Sequence, residues 1–155
     1  MPALIIEDIR LGEEPLAREV YFKALDDINA NVSSSSSADI DGDLFNISKY
    51  YSNRTGCAFL VGKYKSLLVA TGALWKVNSG TVELKRLAVH PDYQRRGFGR
   101  QMLQTLEHRA NLLQYNKIIL DTSTRQIAAR SLYEAEGYIM DSREAGLFYF
   151  SKNLI

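Results

Sequence analysis

The chain has 155 residues, a length typical of a single domain. Hydrophobic residues make up 46% of it and charged residues 24%, which is the composition of a folded globular protein and excludes a disordered one. With 19 Lys and Arg against 18 Asp and Glu, the net charge is +1, whereas proteins that hold nucleic acid by bulk charge are strongly basic. We therefore predict one domain over residues 1–155 and no nucleic-acid partner.

Cysteine usage and apolar runs bear on the cellular location. Cys57 is the only cysteine, which excludes an internal disulfide and any cysteine-rich zinc site. No run approaches the roughly 20 apolar residues of a membrane helix, and the N-terminus lacks the basic segment of a signal peptide. We expect a cytoplasmic protein with no metal and no membrane partner.

The first third of the chain predicts one strand and two helices. Residues 3–9 are predicted as a strand and residues 13–28 as a helix. The apolar residues that set the helical period are Leu16, Val20, Ala24 and Ile28. Five serines and three aspartates within residues 29–43 are typical of a surface loop or a lid. Asp43 is predicted to cap a short helix over residues 44–53.

The middle of the chain predicts an antiparallel meander. Three β segments occupy residues 58–64, 67–76 and 81–89. The connections at residues 65–66 and 78–80 are short enough to be hairpin turns.

A strand, a helix and a second strand follow one another from residue 81 onward. The predicted inner face of the helix consists of Gly99, Met102, Leu103, Leu106, Ala110 and Leu113. Asn116 is expected to end the helix in a left-handed conformation, before a strand over residues 117–122. Such a right-handed crossover places one parallel pair in an otherwise antiparallel sheet. A helix over residues 126–136 and a hairpin of residues 138–140 with 147–153 complete the chain.

The connection between strand 81–89 and its helix has the features of an anion site. It consists of Gln94-Arg95-Arg96-Gly97-Phe98-Gly99-Arg100. Glycines let backbone amides approach a ligand, and the free amides at a helix start bind phosphate. The dinucleotide fingerprint does not fit, because Met102 occupies its third glycine position. A surface loop with solvated arginines is the alternative.

These residues resemble the signature of the GCN5-related N-acetyltransferase (GNAT) superfamily, Gln/Arg-x-x-Gly-x-Gly/Ala after a strand. The resemblance extends upstream over residues 83–91. Downstream, Leu132-Tyr133-Glu134-Ala135-Glu136-Gly137-Tyr138 is similar to the family's Leu-Tyr-Glu-x-x-Gly-Phe segment. The resemblance implies an α/β protein of the α+β type with the GNAT acyl-CoA N-acyltransferase fold. That fold has a mixed, mostly antiparallel sheet of about six to seven strands, about four helices, and one parallel pair splayed at the cofactor site.

The resemblance also implies acetyl-CoA as cosubstrate. Backbone groups of strand 81–89 would bind its pantetheine arm, and the Val89 amide would polarise the thioester carbonyl. The loop amides would hold the pyrophosphate. Where the family often has asparagine, this chain has Gln126, so that contact is either shifted or lost. The implied cofactor-binding residues are Leu87, Ala88, Val89, Gln94, Arg95, Arg96, Gly97, Phe98, Gly99, Arg100, Gln126, Ala129 and Tyr133.

Two catalytic roles follow from the same resemblance. Tyr133 matches the tyrosine that protonates the departing CoA thiolate, more easily if a nearby arginine lowers its pKa. Spacing alone favours a core position for Tyr133, and the resemblance reverses that preference. Glu83 matches the strand glutamate that some members use as general base, and its alternative is a solvent-facing carboxylate near Lys85.

The implied function is acetyl-CoA-dependent N-acetylation. The acetyl group would pass to a primary amine of a small molecule or peptide by direct attack in a ternary complex. The alternative is a non-catalytic module that binds CoA or a metabolite. Asp39, Asp41 and Asp43 either attract a cationic acceptor or form a solvated acidic loop. Exposed sheet edges make a homodimer reasonable.

Overall fold

The computed structural model describes residues 3–27 and 42–154. These residues form seven strands: β1 (Ile5–Asp8), β2 (Ala58–Tyr64), β3 (Leu67–Lys76), β4 (Thr81–Val89), β5 (Lys117–Ser123), β6 (Ile139–Glu144) and β7 (Leu147–Asn153). The helices among them are α1 (Glu14–Asp27), α2 (Phe98–Leu112), α3 (Ile127–Ala135) and a short π-helix (Ser48–Ser52). Two 3₁₀ turns occupy Gly42–Phe45 and Pro91–Tyr93.

The strands form one mixed sheet in the order β1-β2-β3-β4-β5-β7-β6. Within it only β4 and β5 run parallel, so the predicted fold class is confirmed. The parallel pairing covers only three residues of each strand, from Thr81 opposite Lys117 to Glu83 opposite Ile119. Beyond that point β5 continues to pair with β7, and β4 with β3. The two parallel strands therefore diverge, and we call the space between them the cleft.

Both faces of the sheet are covered by helices. On one face α2 and α3 pack over a large core, to which Met102, Leu106 and Tyr133 contribute. On the other face α1 and the π-helix cover a smaller core, which includes Ala17 and Tyr51. From β4, Val82 and Leu84 are buried in the larger core, and the far end of the same strand borders the cleft.

The first predicted helix is confirmed with a different inner face. Ala17, Val20 and Ala24 are buried in α1, whereas Leu16 is 51% exposed, and Ile28 lies outside the described residues. The small side chain of Ala17 lets α1 lie close to the sheet. Hydrophobicity alone does not predict that Ala17, rather than the larger Leu16, is the buried residue.

The predicted end of the second long helix is wrong by a few residues. Leu113 is the C-cap of α2 and is 38% exposed, so it does not belong to the buried face. Gln114, with φ of 68°, takes the left-handed conformation predicted for Asn116. Asn116 instead donates its amide to the Gly80 carbonyl at 2.8 Å, which aligns the start of β5 with the start of β4.

The predicted helix over residues 44–53 is shorter and irregular. Asp43 lies inside the 3₁₀ turn Gly42–Phe45 and does not cap a helix, because Tyr51 and Arg86 take its carboxylate. Positions 29–41 of the predicted loop lie outside the described residues. The last hairpin is longer than predicted, since β6 extends to Glu144 as an exposed edge strand without apolar alternation.

Candidate functional site

The end of β4 presents an unpaired backbone edge to the cleft. Val89 is opposite Ala70 on β3 and has no partner on β5. The next residue, His90, donates its amide to the Val69 carbonyl at 2.8 Å, so it points toward β3. Successive amides of a strand point to opposite sides, and the Val89 amide therefore points into the cleft. This is the geometry expected of an amide that bonds a ligand lying between the strands.

A β-bulge separates the paired start of β4 from its free end. Ala73 is opposite Lys85, but Thr71 is opposite Ala88, so β4 carries one extra residue at this place. Within the bulge Arg86 has a left-handed φ of 60°. Such a conformation costs a non-glycine residue about 1–3 kcal/mol, and a bulge bends and twists its strand. Sequence patterns did not reveal the bulge, because β4 itself contains no glycine.

The start of α2 supplies free backbone amides next to the end of β4. Gly97 is the N-cap with φ of 83°, and the first amide with a helical acceptor is that of Gln101, 3.1 Å from the Gly97 carbonyl. The amides of Phe98, Gly99 and Arg100 thus precede the first intrahelical bond and point out of the helix start. A side chain at Gly99 would have its Cβ 3.9 Å from Val89. The loop and the end of β4 therefore border the same groove.

The three predicted arginines differ in their surroundings. Arg95 and Arg96 are exposed, and the Arg96 guanidinium lies over the Tyr93 ring at 5.1 Å. Arg100 is half-exposed and its Nε lies 3.1 Å from Glu136 Oε2, which neutralises part of its charge. Gln94 donates from its side chain to the Val89 carbonyl at 2.9 Å. Arg95 and Arg96 are thus the arginines best placed to meet an anion at the loop, while Gln94 ties the loop to β4.

Tyr133 is both a core residue and a candidate acid. Its side chain is 6% exposed, and its ring centroid lies 5.7 Å from that of Tyr138 and 6.1 Å from that of Phe150. Burial, aided by the negative charges that Tyr21 and Asp121 can carry, raises the pKa of Tyr133 well above its ordinary value. No arginine is among the groups that shift this pKa, so the condition that would ease the proton transfer is not met in the described residues. Among the described residues no acceptor is bound to its hydroxyl, which leaves a protonated donor.

Glu83 lies at the point where the cleft opens. It is the last residue of β4 that pairs with β5, and it is half-buried rather than solvent-facing. Burial raises its pKa; Lys85 opposes the rise, and Asp121 reinforces it. Asp121 stands two positions beyond Ile119 on β5 and so projects to the same face of the sheet as Glu83. No local sequence pattern indicates this position of Asp121, because only the parallel register brings it near Glu83.

Gln126 is the N-cap residue that precedes α3, and Ala129 lies on the helix itself. The Gln126 side-chain oxygen accepts hydrogen bonds from Thr122 Oγ1 and the Ser123 amide, both at 3.0 Å. That oxygen therefore ties the end of β5 to the start of α3, and only the amide nitrogen remains to contact a ligand. Ala129 is half-buried against the core under α2.

Metal centres and membrane spans have characteristic groupings that this part of the chain lacks. In residues 3–27 and 42–154, no three His, Cys, Asp or Glu side chains are grouped as a metal site would require. No helix in the same residues combines the length and the apolar content needed to cross a membrane.

Comparisons with known proteins agree with this geometry. The model of the Acetyltransferase (GNAT) family matches residues 23–138. N-acetylaspartate synthetase of Xenopus tropicalis is 31% identical over 100 residues, which are 62% of this chain and 36% of that protein. The chain spans at most about half of the length of the curated relatives it matches.

Solved structures show the same fold over the whole chain. An acetyltransferase of the GNAT family from Staphylococcus aureus Mu50 superposes with a TM-score of 0.87, at 20% identity, covering 99% of this chain and 100% of that one. The PaiA N-acetyltransferase of Thermoplasma acidophilum, in complex with coenzyme A, has a TM-score of 0.79 at 18% identity and covers 97% of this chain and 99% of its own.

Proposed function

Because the chain belongs to the acetyltransferase (GNAT) family, we propose that it transfers the acetyl group of acetyl-CoA to a primary amine by direct attack in a ternary complex. The observation that carries this proposal is the divergence of β4 and β5 beside the free amides that start α2. A cleft with an unpaired strand edge suits an extended amide-containing arm, and a helix start suits a pyrophosphate.

Backbone groups would position the cofactor. The free end of β4, residues 87–89, would bond the pantetheine arm, as one more strand in the cleft. The Val89 amide, which points into the cleft, would then polarise the thioester carbonyl and stabilise the tetrahedral oxyanion. The amides from Arg95 to Arg100 would hold the pyrophosphate. Holding thioester and amine together would supply much of the acceleration.

Side chains would handle the protons. A lysine-like amine has a pKa of about 10.4, so almost all of it is charged at neutral pH and needs a base. Glu83 has a raised pKa and lies at the mouth of the cleft, which suits a base acting directly or through water. Tyr133 would donate to the departing sulfur. Since burial raises its pKa further above that of a thiol, about 8.5, it would stabilise the thiolate by hydrogen bonding and transfer its proton late.

Release of CoA thiol in the presence of amines tests the activity directly. We expect acetyl-CoA with an acceptor to release thiol at a rate proportional to enzyme concentration, with the acetylated product visible by mass spectrometry. The amine panel should cover amino acids, peptide N-termini, polyamines and aminoglycosides. CoA binding without acetylated product across the panel would instead support the regulatory module.

The surroundings of Asp43 bear on the choice of acceptor. Asp43 is held by Arg86 and Tyr51, so its carboxylate is not available to attract a cationic amine, and Asp39 and Asp41 lie outside the described residues. The relative named N-acetylaspartate synthetase forms an acetylated amino acid, which gives amino acids first place in the panel. A cytoplasmic location and a homodimer remain predictions.

A change of Glu83 to glutamine tests the base. We expect kcat/KM to fall by about 10²-fold at neutral pH, within the range typical of general-base catalysis. Burial raises the pKa of Glu83, so its active ionised form is lost below a pH higher than the ordinary 4.5. The acidic limb of the wild-type pH profile should therefore lie above pH 4.5 and vanish in Glu83→Gln. An unchanged limb would assign the base role elsewhere, and Asp121→Asn is the matched comparison.

A further inference from the structure

A buried ion pair fixes the bulge of β4 from the α1 face of the sheet. The Arg86 guanidinium donates two hydrogen bonds to the Asp43 carboxylate. Nε lies 3.0 Å from Oδ2, and Nη2 donates to Oδ1. The Arg86 side chain is 8% exposed and that of Asp43 10%. This pair joins residues 43 positions apart, so the turn that follows residue 41 is attached directly to the bulge.

Three other residues contact this pair: Tyr21, Tyr51 and Thr71. We call the five residues together the bulge anchor. Arg86 donates to the Tyr21 hydroxyl at 3.2 Å and lies over its ring at 5.0 Å. Tyr51 donates to the Asp43 carboxylate. From β3, the buried Thr71 hydroxyl donates to the Arg86 carbonyl at 2.7 Å. The side chain and the carbonyl of Arg86 are therefore both held.

Stability alone does not account for the bulge anchor. A buried ion pair is weak evidence for stability, because desolvation offsets much of the attraction. Arg86 also has a left-handed φ, which glycine would adopt without strain. What the contacts secure is a defined backbone at residue 86, three positions before the Val89 amide. Because alternate amides of a strand point to opposite sides, a change in the bulge would turn the Val89 amide away from the cleft.

We propose that Arg86 is a positioning residue, which through Asp43 holds the bulge so that the free end of β4 presents its amides to the pantetheine arm of the cofactor. This rests on the proposed function, since it assumes that acetyl-CoA lies in the cleft. It also couples the turn at Asp43 to cofactor binding, through the backbone of β4.

The test uses a double variant with a matched control. Arg86→Met with Asp43→Asn removes both charges, so neither is left unpaired, and the asparagine amide still offers Tyr51 an oxygen. Arg109→Met with Asp8→Asn removes another two-bond pair, both contacts 2.9 Å, between α2 and β1. Arg86→Lys keeps the charge but lacks the planar fork. CoA affinity is measured by calorimetry, kcat and KM by thiol release, and amide hydrogen exchange over residues 85–90 by mass spectrometry.

We expect the double variant to keep a cooperative melting transition, bind CoA at least tenfold more weakly and exchange the amides of residues 85–90 at least tenfold faster. Arg86→Lys should show smaller changes in the same direction, and the control should stay within twofold in every measurement. CoA affinity and amide exchange within twofold of wild type in the folded double variant would overturn the proposal. If that variant does not fold, Arg86→Lys decides by the same two measurements.

These measurements separate the positioning role from the proposed function. A wild-type protein that binds CoA without turnover would refute the acetyl transfer and leave the affinity test intact. If the wild type does not bind CoA, the cofactor premise and the positioning role both fail.

Discussion

Replacing Tyr133 with phenylalanine is expected to lower kcat by about 10²-fold or more, with CoA affinity within about twofold of wild type. The change removes one oxygen and leaves the ring in its place between Tyr138 and Phe150. The oxygen bonds no described residue, so its loss leaves no described partner unpaired. A loss confined to kcat would show that the hydroxyl acts on the departing thiolate.

Tyr138→Phe is the matched control. Tyr138 is equally buried, at 4% exposure, but its hydroxyl donates to Glu107 Oε2 at 2.8 Å. Loss of that bond should lower the free energy of unfolding by about 1 kcal/mol, the net contribution typical of one intramolecular hydrogen bond, and leave kcat unchanged. If Tyr133→Phe retained full turnover, or if both variants lost kcat equally, Tyr133 would be a core residue only.

The pH profile gives the same assignment a second check. Burial raises the pKa of Tyr133, so the phenol remains protonated at a pH where an exposed tyrosine ionises. An alkaline fall in kcat caused by loss of this proton must therefore lie above pH 10. Stopped-flow measurements of kcat would show this fall, with an acceptor amine that is already neutral throughout the alkaline pH range. A fall centred between about pH 8 and 9, the range of an ordinary thiol, that persists in Tyr133→Phe belongs to another group.

Local patterns predicted the parts of the fold that local forces determine. The meander of β2, β3 and β4 was predicted with its observed bounds, because turn residues and apolar alternation delimit each strand. The parallel placement of β4 and β5 followed from the single helix between them, since a crossover of that length joins parallel strands. Of the two glycines in the loop, Gly97 has a left-handed φ, whereas Gly99 lies inside α2.

Long-range contacts determined what local patterns could not predict. Asp43 carried the signature of a helix cap, yet Arg86, 43 residues away, takes its carboxylate. Arg86 in turn lies in a strand whose sequence shows no break, and its left-handed conformation is maintained by contacts from α1, β3 and the turn at Asp43. Asp121 enters the site only through the register of β5. Each of these depends on pairings between distant segments, about which sequence periodicity carries no information.

Gly97→Glu is expected to weaken CoA binding by at least about 10²-fold. A carboxylate about 5 Å from a phosphate charge is repelled by about 3 kcal/mol at an effective dielectric of about 20, a factor of about 10² in affinity. The left-handed φ of 83° adds backbone strain, because only glycine adopts it freely. Calorimetry with CoA measures the sum of both effects.

Two variants separate charge from strain at the loop. Gly97→Ala introduces the strain without the charge, and no described atom lies within 4 Å of the added Cβ, so we expect only a severalfold loss of affinity. Gly12→Glu places the same charge on a glycine with φ of 91° and equal free space, in the turn between β1 and α1. That turn lies at the end of the sheet where β4 begins, away from Val89, so CoA affinity should not change. If Gly97→Glu bound CoA as Gly97→Ala does, repulsion would be absent and the pyrophosphate would lie elsewhere. A large loss of CoA affinity in Gly97→Glu, but not in Gly97→Ala or Gly12→Glu, would place the anion at the start of α2, where the free amides point.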